Sequence, residues 1–176
     1  MTMKAMKKVL VSALAAALVV TAAAPAGAAT SPVKAPKAIN GKATVKGVTV
    51  KTSKKGTATV TTVKSKKATV KVAATIKVKG VTYKVTAIGA NAFKNCKKVK
   101  KISVGKNVKT IGKNAFKGCK KLKTITLANK KVTIKKGAFA GLNTKKITIK
   151  APKMSKKALE KFKKALKKAG FKGKVK

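Results

Sequence analysis

Residues 85–107 read "VTAIGANAFKNCKKVKKISVGKN", and residues 108–130 read "VKTIGKNAFKGCKKLKTITLANK". Laid one over the other, Ile88 meets Ile111, Phe93 meets Phe116, Cys96 meets Cys119 and Ile102 meets Ile125, each pair 23 residues apart. A third copy keeps Ile134 and Phe139 on the same step and puts Leu142 in the cysteine slot. Self-similarity at a period of roughly 20 to 50 residues marks a solenoid. Each unit is too small to bury its apolar face alone and must stack on its neighbours.

Within the first copy, Val99, Ile102 and Val104, followed by Asn107, fit the pattern L-x-x-L-x-L-x-x-N. Leu122, Ile125 and Leu127 fill the same places in the second, with the asparagine one residue early at Asn129. The third keeps Ile147 and Ile149 but has Thr144 in the first slot. A blurred end copy is expected, because it has only one neighbour to pack on. The alternation predicts one short strand per unit, with Lys101, Ser103, Thr124, Thr126, Lys146 and Thr148 facing outward. Phe93, Phe116 and Phe139 should stack along the interior.

The flanks differ in pattern. Residues 43–84 alternate at period two in Val- and Thr-rich runs such as "ATVKGVTVKT" and "GTATVTTVKS", punctuated by Gly47, Gly56 and Gly80. That predicts a β-rich N-terminal region of short antiparallel strands with lysine on the wet face. Residues 151–176 hold "SKKALEKFKKALKKAG", a helix with Ser155 placed to cap its start and Gly170 its end. Ala158, Leu159, Phe162, Ala165, Leu166 and Ala169 share one face at helical spacing. A cationic amphipathic helix suits a membrane surface. It equally suits the open end of a solenoid, which needs a cap, and the cap is the favoured reading.

Composition sets the chemistry. All 47 basic residues among 176 are lysine, against a single acid, Glu160, for a formal net charge of +46. Self-repulsion on that scale opposes compaction, and an anionic partner or salt relieves it. The start of the chain explains where such a partner would be met. "MTMKAMKK" is a basic n-region, "VLVSALAAALVVTAAA" an apolar run, and "PAGAAT" a small-residue exit. Together they predict a cleavable secretory signal peptide over 1–29, cut after Ala28 or Ala29. An extended Pro- and Lys-bearing lead follows over 30–42. The expected location is secreted or extracellular, with charge holding the mature chain at a bacterial surface.

The missing residue types exclude most catalysis. With no histidine, no aspartate and one glutamate, neither a carboxylate pair nor a Ser-His-Asp or Cys-His constellation can form. Two cysteines cannot close a tetrahedral metal site, and no glycine-rich phosphate loop stands at a strand-to-helix junction. No catalytic residue, cofactor or metal is therefore expected. Cys96 and Cys119 fall in equivalent slots of adjacent units, where the repeat phase favours two buried thiols acting as small apolar residues. A disulfide between them is the other reading open to an exported chain. Without arginine, and with one tyrosine and five phenylalanines, the chain lacks the bidentate contacts and stacking platforms of sequence-specific nucleic-acid readers.

The stretch from Tyr83 to Leu127 resembles the BspA-like bacterial surface leucine-rich repeats, whose unit runs I-G-x-x-A-F-x-x-C-x-x-L-x-x-I-x-[IVL]. The likeness covers residues 81–150 and keeps Ile, Gly, Ala-Phe, Cys and the strand pattern together in two copies. In the third, glycine and cysteine give way to Lys135 and Leu142. The resemblance implies an exported solenoid with a binding or adhesion role toward glycan or host protein, and it supplies no catalytic residues.

The expected fold is mostly β with a C-terminal helix. It is a short leucine-rich-repeat solenoid of about three 23-residue repeats over 85–150, between a β-rich N-terminal region and a helical C-cap. The expected function is attraction of polyanionic partners, whether cell-wall polymer, acidic glycan or host surface protein. Lys97, Lys98, Lys100, Lys101, Lys120, Lys121, Lys123, Lys145 and Lys146 are the candidate contacts, because the repeat phase clusters them in neighbouring units. The alternative is a membrane-active cationic protein that meets anionic membrane surfaces through its terminal helix.

Overall fold

The computed structural model describes residues 37–94 and 96–176; the expected signal peptide over 1–29 and the lead before residue 37 lie outside the described residues. The Val- and Thr-rich alternation gives β1 (Gly41–Val45), β2 (Val48–Thr52), β3 (Thr57–Val63), β4 (Thr69–Val72), β5 (Thr75–Val78) and β6 (Val81–Ile88). The repeats give β7 (Lys101–Val104), β8 (Thr110–Ile111), β9 (Thr124–Leu127), β10 (Thr133–Ile134) and β11 (Thr148–Lys150). A 3-10 turn at Thr144–Lys146 precedes β11, and α1 (Lys156–Lys168) and β12 (Lys174–Val175) close the chain.

These strands form two sheets. One is parallel throughout, in the order β12-β11-β9-β7-β4. The other is mixed: β3, β6, β8 and β10 run parallel, β1 and β2 continue from β3 as an antiparallel meander, and β5 forms a hairpin with β6. Each turn of the solenoid contributes one strand to each sheet. The row Val70, Ile102, Ile125, Ile149 on the parallel sheet and the row Val60, Ile88, Ile111 on the mixed sheet feed one buried core.

The glycine after each repeat isoleucine has a steric cause. A Cβ on Gly89 would lie 2.9 Å from the Val60 carbonyl oxygen, and one on Gly112 would lie 2.8 Å from the Ala90 nitrogen. Successive turns pass too closely there for a side chain. Two residues further on, the chain enters the left-handed region at Asn91 (φ 57°), Asn114 (φ 56°) and Gly137 (φ 76°). Asparagine tolerates that conformation and glycine adopts it freely. The third copy thus keeps the turn geometry, with glycine shifted onto the left-handed position.

Phe93 and Phe116 stand with ring centroids 5.5 Å apart, as do Phe116 and Phe139. Phe171, from beyond α1, extends the row at 5.0 Å from Phe139. It is delivered by the helix end: Gly170 takes φ 86°, its N–H donates to the Lys167 carbonyl, and the Phe171 N–H donates to the Leu166 carbonyl. That double closure is the glycine-terminated helix end which satisfies the last carbonyls. At the other end Ser155 Oγ accepts from the Ala158 N–H. Phe162 and Leu166 of α1 are buried in the core.

Two flanking regions depart from the expected pattern. The antiparallel pairing expected here holds for β1–β2, β2–β3 and β5–β6, but β3 also pairs in parallel with β6 and β4 pairs in parallel with β7, so these two form a turn of the solenoid themselves. Period-two alternation reports one buried face and says nothing about the direction of the neighbour. At the far end, the segment expected only as a tail pairs Thr148 with Lys174 and Ile149 with Val175, adding β12 to the parallel sheet.

Candidate functional site

The stretch between each mixed-sheet strand and the next parallel-sheet strand forms one edge of the solenoid. In the first repeat its core-facing positions are Ala92, Phe93, Cys96 and Val99, all buried. The backbone folds tightly through Lys94 N–H to Asn91 O, Cys96 N–H to Phe93 O and Val99 N–H to Cys96 O. The second repeat copies these bonds through Lys117 to Asn114, Cys119 to Phe116 and Leu122 to Cys119. Among the residues between these inward-turned positions, Lys94, Lys97, Lys98, Lys117, Lys120 and Lys121 are exposed.

Lys97, Lys98 and Lys100 in one turn match Lys120, Lys121 and Lys123 in the next, and all six are exposed. The turns are clamped together: the N–H groups of Lys123 and Thr124 both donate to the Lys100 carbonyl, and the Thr148 N–H donates to that of Lys123. Lys145 and Lys146 lie in the 3-10 turn one level further along, also exposed. Eight of the nine candidate lysines are therefore in turns at one edge. Only Lys101 lies in a strand.

The outward face of the parallel sheet is different. Its central positions are Ser103, Thr124, Thr126 and Thr148, with Lys71, Lys101, Lys150 and Lys174 around them. Neighbouring strands are only about 4.8 Å apart, so a continuous ladder of lysines on the face would set like charges side by side. Hydroxylated β-branched residues suit the strand, and the turns let the long cations splay apart.

Little offsets this charge. Glu160, on α1, takes the Lys163 Nζ at 2.8 Å. That hydrogen bond and charge hold its exposed carboxyl below the usual glutamate range. Among the described residues no three potential metal-ligating side chains come together. None of their helices is long and apolar enough to cross a membrane.

Cys96 and Cys119 are buried free thiols. Each donates to a backbone carbonyl, Cys96 Sγ to Val63 O at 3.1 Å and Cys119 Sγ to Phe93 O at 3.3 Å. The adjacent Cys96 sulfur and burial both push the Cys119 thiol well above its ordinary value. Cys119 so held is a packing group with a satisfied donor rather than a nucleophile, while the hydrogen bond from Cys119 lowers the buried Cys96 thiol to about 7.

Sequence reasoning missed the opposite edge. There the loops after β7, β9 and β11 carry Lys106, Lys109, Lys130, Lys131 and Lys153 around an open cleft. The available signal was the presence of lysine after each of these strands, since apart from Lys130 and Lys153 these positions do not keep the 23-residue step.

Comparison with known proteins agrees with this architecture. A leucine rich cell surface protein from Faecalibacterium prausnitzii superposes with a TM-score of 0.52 at 25% identity, over 62% of this chain and 32% of that one. This chain therefore spans about a third of that protein's length. A leucine-rich repeat protein from Bacteroides capillosus superposes with a TM-score of 0.58 at 23% identity, over 77% of this chain and 98% of that one, and shares the fold. No curated protein sequence matches the chain. The model of the BspA type leucine rich repeat region matches residues 81–176 in six copies. That match takes in more than half of the sequence, and the chain belongs to the BspA-type leucine-rich repeat family.

Proposed function

We propose that this protein is an exported binding or adhesion module that attracts polyanionic polymer at a bacterial surface. The contacts are the lysines aligned along the turn edge, and no chemical step is involved. The observation that carries the reading is the stacked pair of lysine triplets, Lys97, Lys98 and Lys100 beside Lys120, Lys121 and Lys123, in a chain with a single acid. A row of point charges at a fixed rise suits a polymer with regularly spaced anionic groups, and lysine suits phosphate or sulfate better than planar carboxylate. An extracellular setting is supported by the secretory pattern of residues 1–29 and by the cell-surface description of the Faecalibacterium relative.

In this reading the solenoid is built on about three 23-residue repeats, and α1 closes its end. Burial of Phe162 and Leu166 supports the cap, because a helix whose apolar face is occupied has little left to offer a bilayer. The experiment replaces all nine turn-edge and strand lysines by glutamine. Its control replaces nine lysines on β1, β2, β5 and α1, so both variants lose equal charge. Elution from immobilised teichoic acid should fall to much lower salt for the first variant than for the second. Equal losses would reduce the lysines to an undirected coat and sink the reading.

A further inference from the structure

The loops that follow three successive parallel-sheet strands meet at the edge opposite the candidate lysines. Between them lies a cleft of about 840 Å³. Its walls carry Lys106 and Lys109 from the loop after β7, Lys130 and Lys131 from the loop after β9, and Lys153 from the loop after β11. Thr110 and Thr133, at the starts of β8 and β10, add hydroxyls, and Ala128 and Val132 give it an apolar part. No carboxylate lines it.

The cleft is held open by backbone-directed bonds rather than by its cations. Asn129 Nδ2 donates to the Val108 carbonyl at 2.8 Å, tying one loop to the loop of the preceding turn. Asn129 Oδ1 accepts from the Lys131 N–H at 2.9 Å and so fixes the bend that presents Lys130 and Lys131. Between the strands, the Thr133 N–H donates to the Lys109 carbonyl at 2.8 Å. With loop positions set this way, five lysines line the cleft and no carboxylate stands among the lining residues to neutralise them. Adjacent turns rise by about 4.8 Å, so the backbone of the three loops that carry these lysines spans roughly 10 Å along the stack.

We infer that this loop-edge cleft is a discrete site for a ligand carrying several closely spaced phosphate groups. Three arguments select phosphate. The charge is concentrated, so a multivalent anion is favoured over a single one. The cations are ammonium groups, compact and strongly hydrated, which suit small oxyanions and lack the planar fork that reads carboxylate. The threonine hydroxyls can donate to the oxygens that the lysines leave free. The site is separate from the turn-edge surface, so either can exist without the other.

The test titrates the protein with sodium tripolyphosphate at near-physiological salt by calorimetry, with amide shifts followed by NMR. The expected result is saturable one-to-one binding with shifts centred on Lys130, Lys131 and Thr133. The variant carrying Lys106→Gln, Lys109→Gln, Lys130→Gln and Lys131→Gln should bind at least tenfold more weakly. A variant of equal charge loss, with Lys97→Gln, Lys98→Gln, Lys120→Gln and Lys121→Gln, should stay within about twofold of the parent. The NMR map needs no variant, so a folding defect in either one leaves the site testable. Non-saturable binding, shifts spread over both edges, or equal losses in the two variants would overturn the site. Citrate binding as tightly as tripolyphosphate would overturn the choice of phosphate. Teichoic acid retention that survives the cleft substitutions while tripolyphosphate fails to bind would overturn the cleft and leave the turn-edge proposal standing.

Discussion

Replacing Phe116 by alanine should cost more than the same change at Phe93, which ends the aromatic row. The ring is fully buried and faces Phe93 on one side and Phe139 on the other, both at 5.5 Å. Truncating a buried phenylalanine to alanine costs about 3–5 kcal/mol through lost transfer energy and the cavity left behind. Each aromatic pair adds about 0.5–1.5 kcal/mol beyond area burial. Phe116 loses two pairs, whereas Phe93, just as buried, loses only its pair with Phe116. Phe116→Ala should therefore exceed Phe93→Ala by about 1 kcal/mol. A domain of this size has only about 5–15 kcal/mol in total, so the loss is a large share of its stability. The assay is urea denaturation followed by far-UV circular dichroism, since the chain has no tryptophan and one tyrosine. Salt must be held constant because charge repulsion changes with it. A cost below about 1.5 kcal/mol for Phe116→Ala would refute the idea that the aromatic row binds the turns together.

Three further outcomes follow from the same packing and charge. Gly112→Ala should cost about 1–3 kcal/mol, because its Cβ would sit 2.8 Å from the Ala90 nitrogen; Gly41→Ala, whose nearest contact would be 3.6 Å away, should be close to neutral in the same urea titration. Raising sodium chloride from about 10 mM to about 500 mM should raise the urea midpoint, since screening removes more lysine repulsion than it loses from the single Lys163–Glu160 pair; a falling midpoint would contradict this. Stability should be nearly flat from about pH 6 to about pH 3, because the chain has no histidine and one acid and the lowered Cys96 thiol titrates above that window, near 7. The folded-state pKa of Glu160 is lowered by Lys163, so its contribution is present above the ordinary carboxylate range and lost on acidification. The carboxyl is fully exposed, so Glu160→Gln should leave the acid limb of a circular dichroism titration unchanged.

The parts of the fold that could be read in advance were those where one residue type answers one geometric demand. Phe93, Phe116 and Phe139 keep an unbroken 23-residue step because each must meet its neighbour's ring, and the interior stack follows from that step. Gly170 and Ser155 marked the helix ends for equally local reasons. Legibility failed where turns change length. Val60 pairs with Ile88 at a separation of 28 residues and Val70 with Ile102 at 32, so the turn built from β3 and β4 falls off the repeat period. Phe171 joins the row 32 residues after Phe139, with α1 inserted between them. The family model finds six copies over residues 81–176 where the 23-residue step shows three. Eight of the candidate lysines lie in the turns and only Lys101 in a strand, a division that the repeat phase alone does not show, whereas the outward Ser103, Thr124, Thr126 and Thr148 follow directly from the alternation. The cleft at the far edge was hidden because its cations come from three turns, at positions that do not share one phase.

The most direct test of the central claim compares the chain from residue 30 onward with a scrambled chain of identical composition. Both are titrated with teichoic acid across a salt series, and the slope of log affinity against log salt is measured for each. A folded lysine row predicts that the native chain still binds near physiological salt, where the scramble has let go. Identical affinities and slopes would mean that charge alone governs binding, and the claim that the repeats present a surface would be wrong.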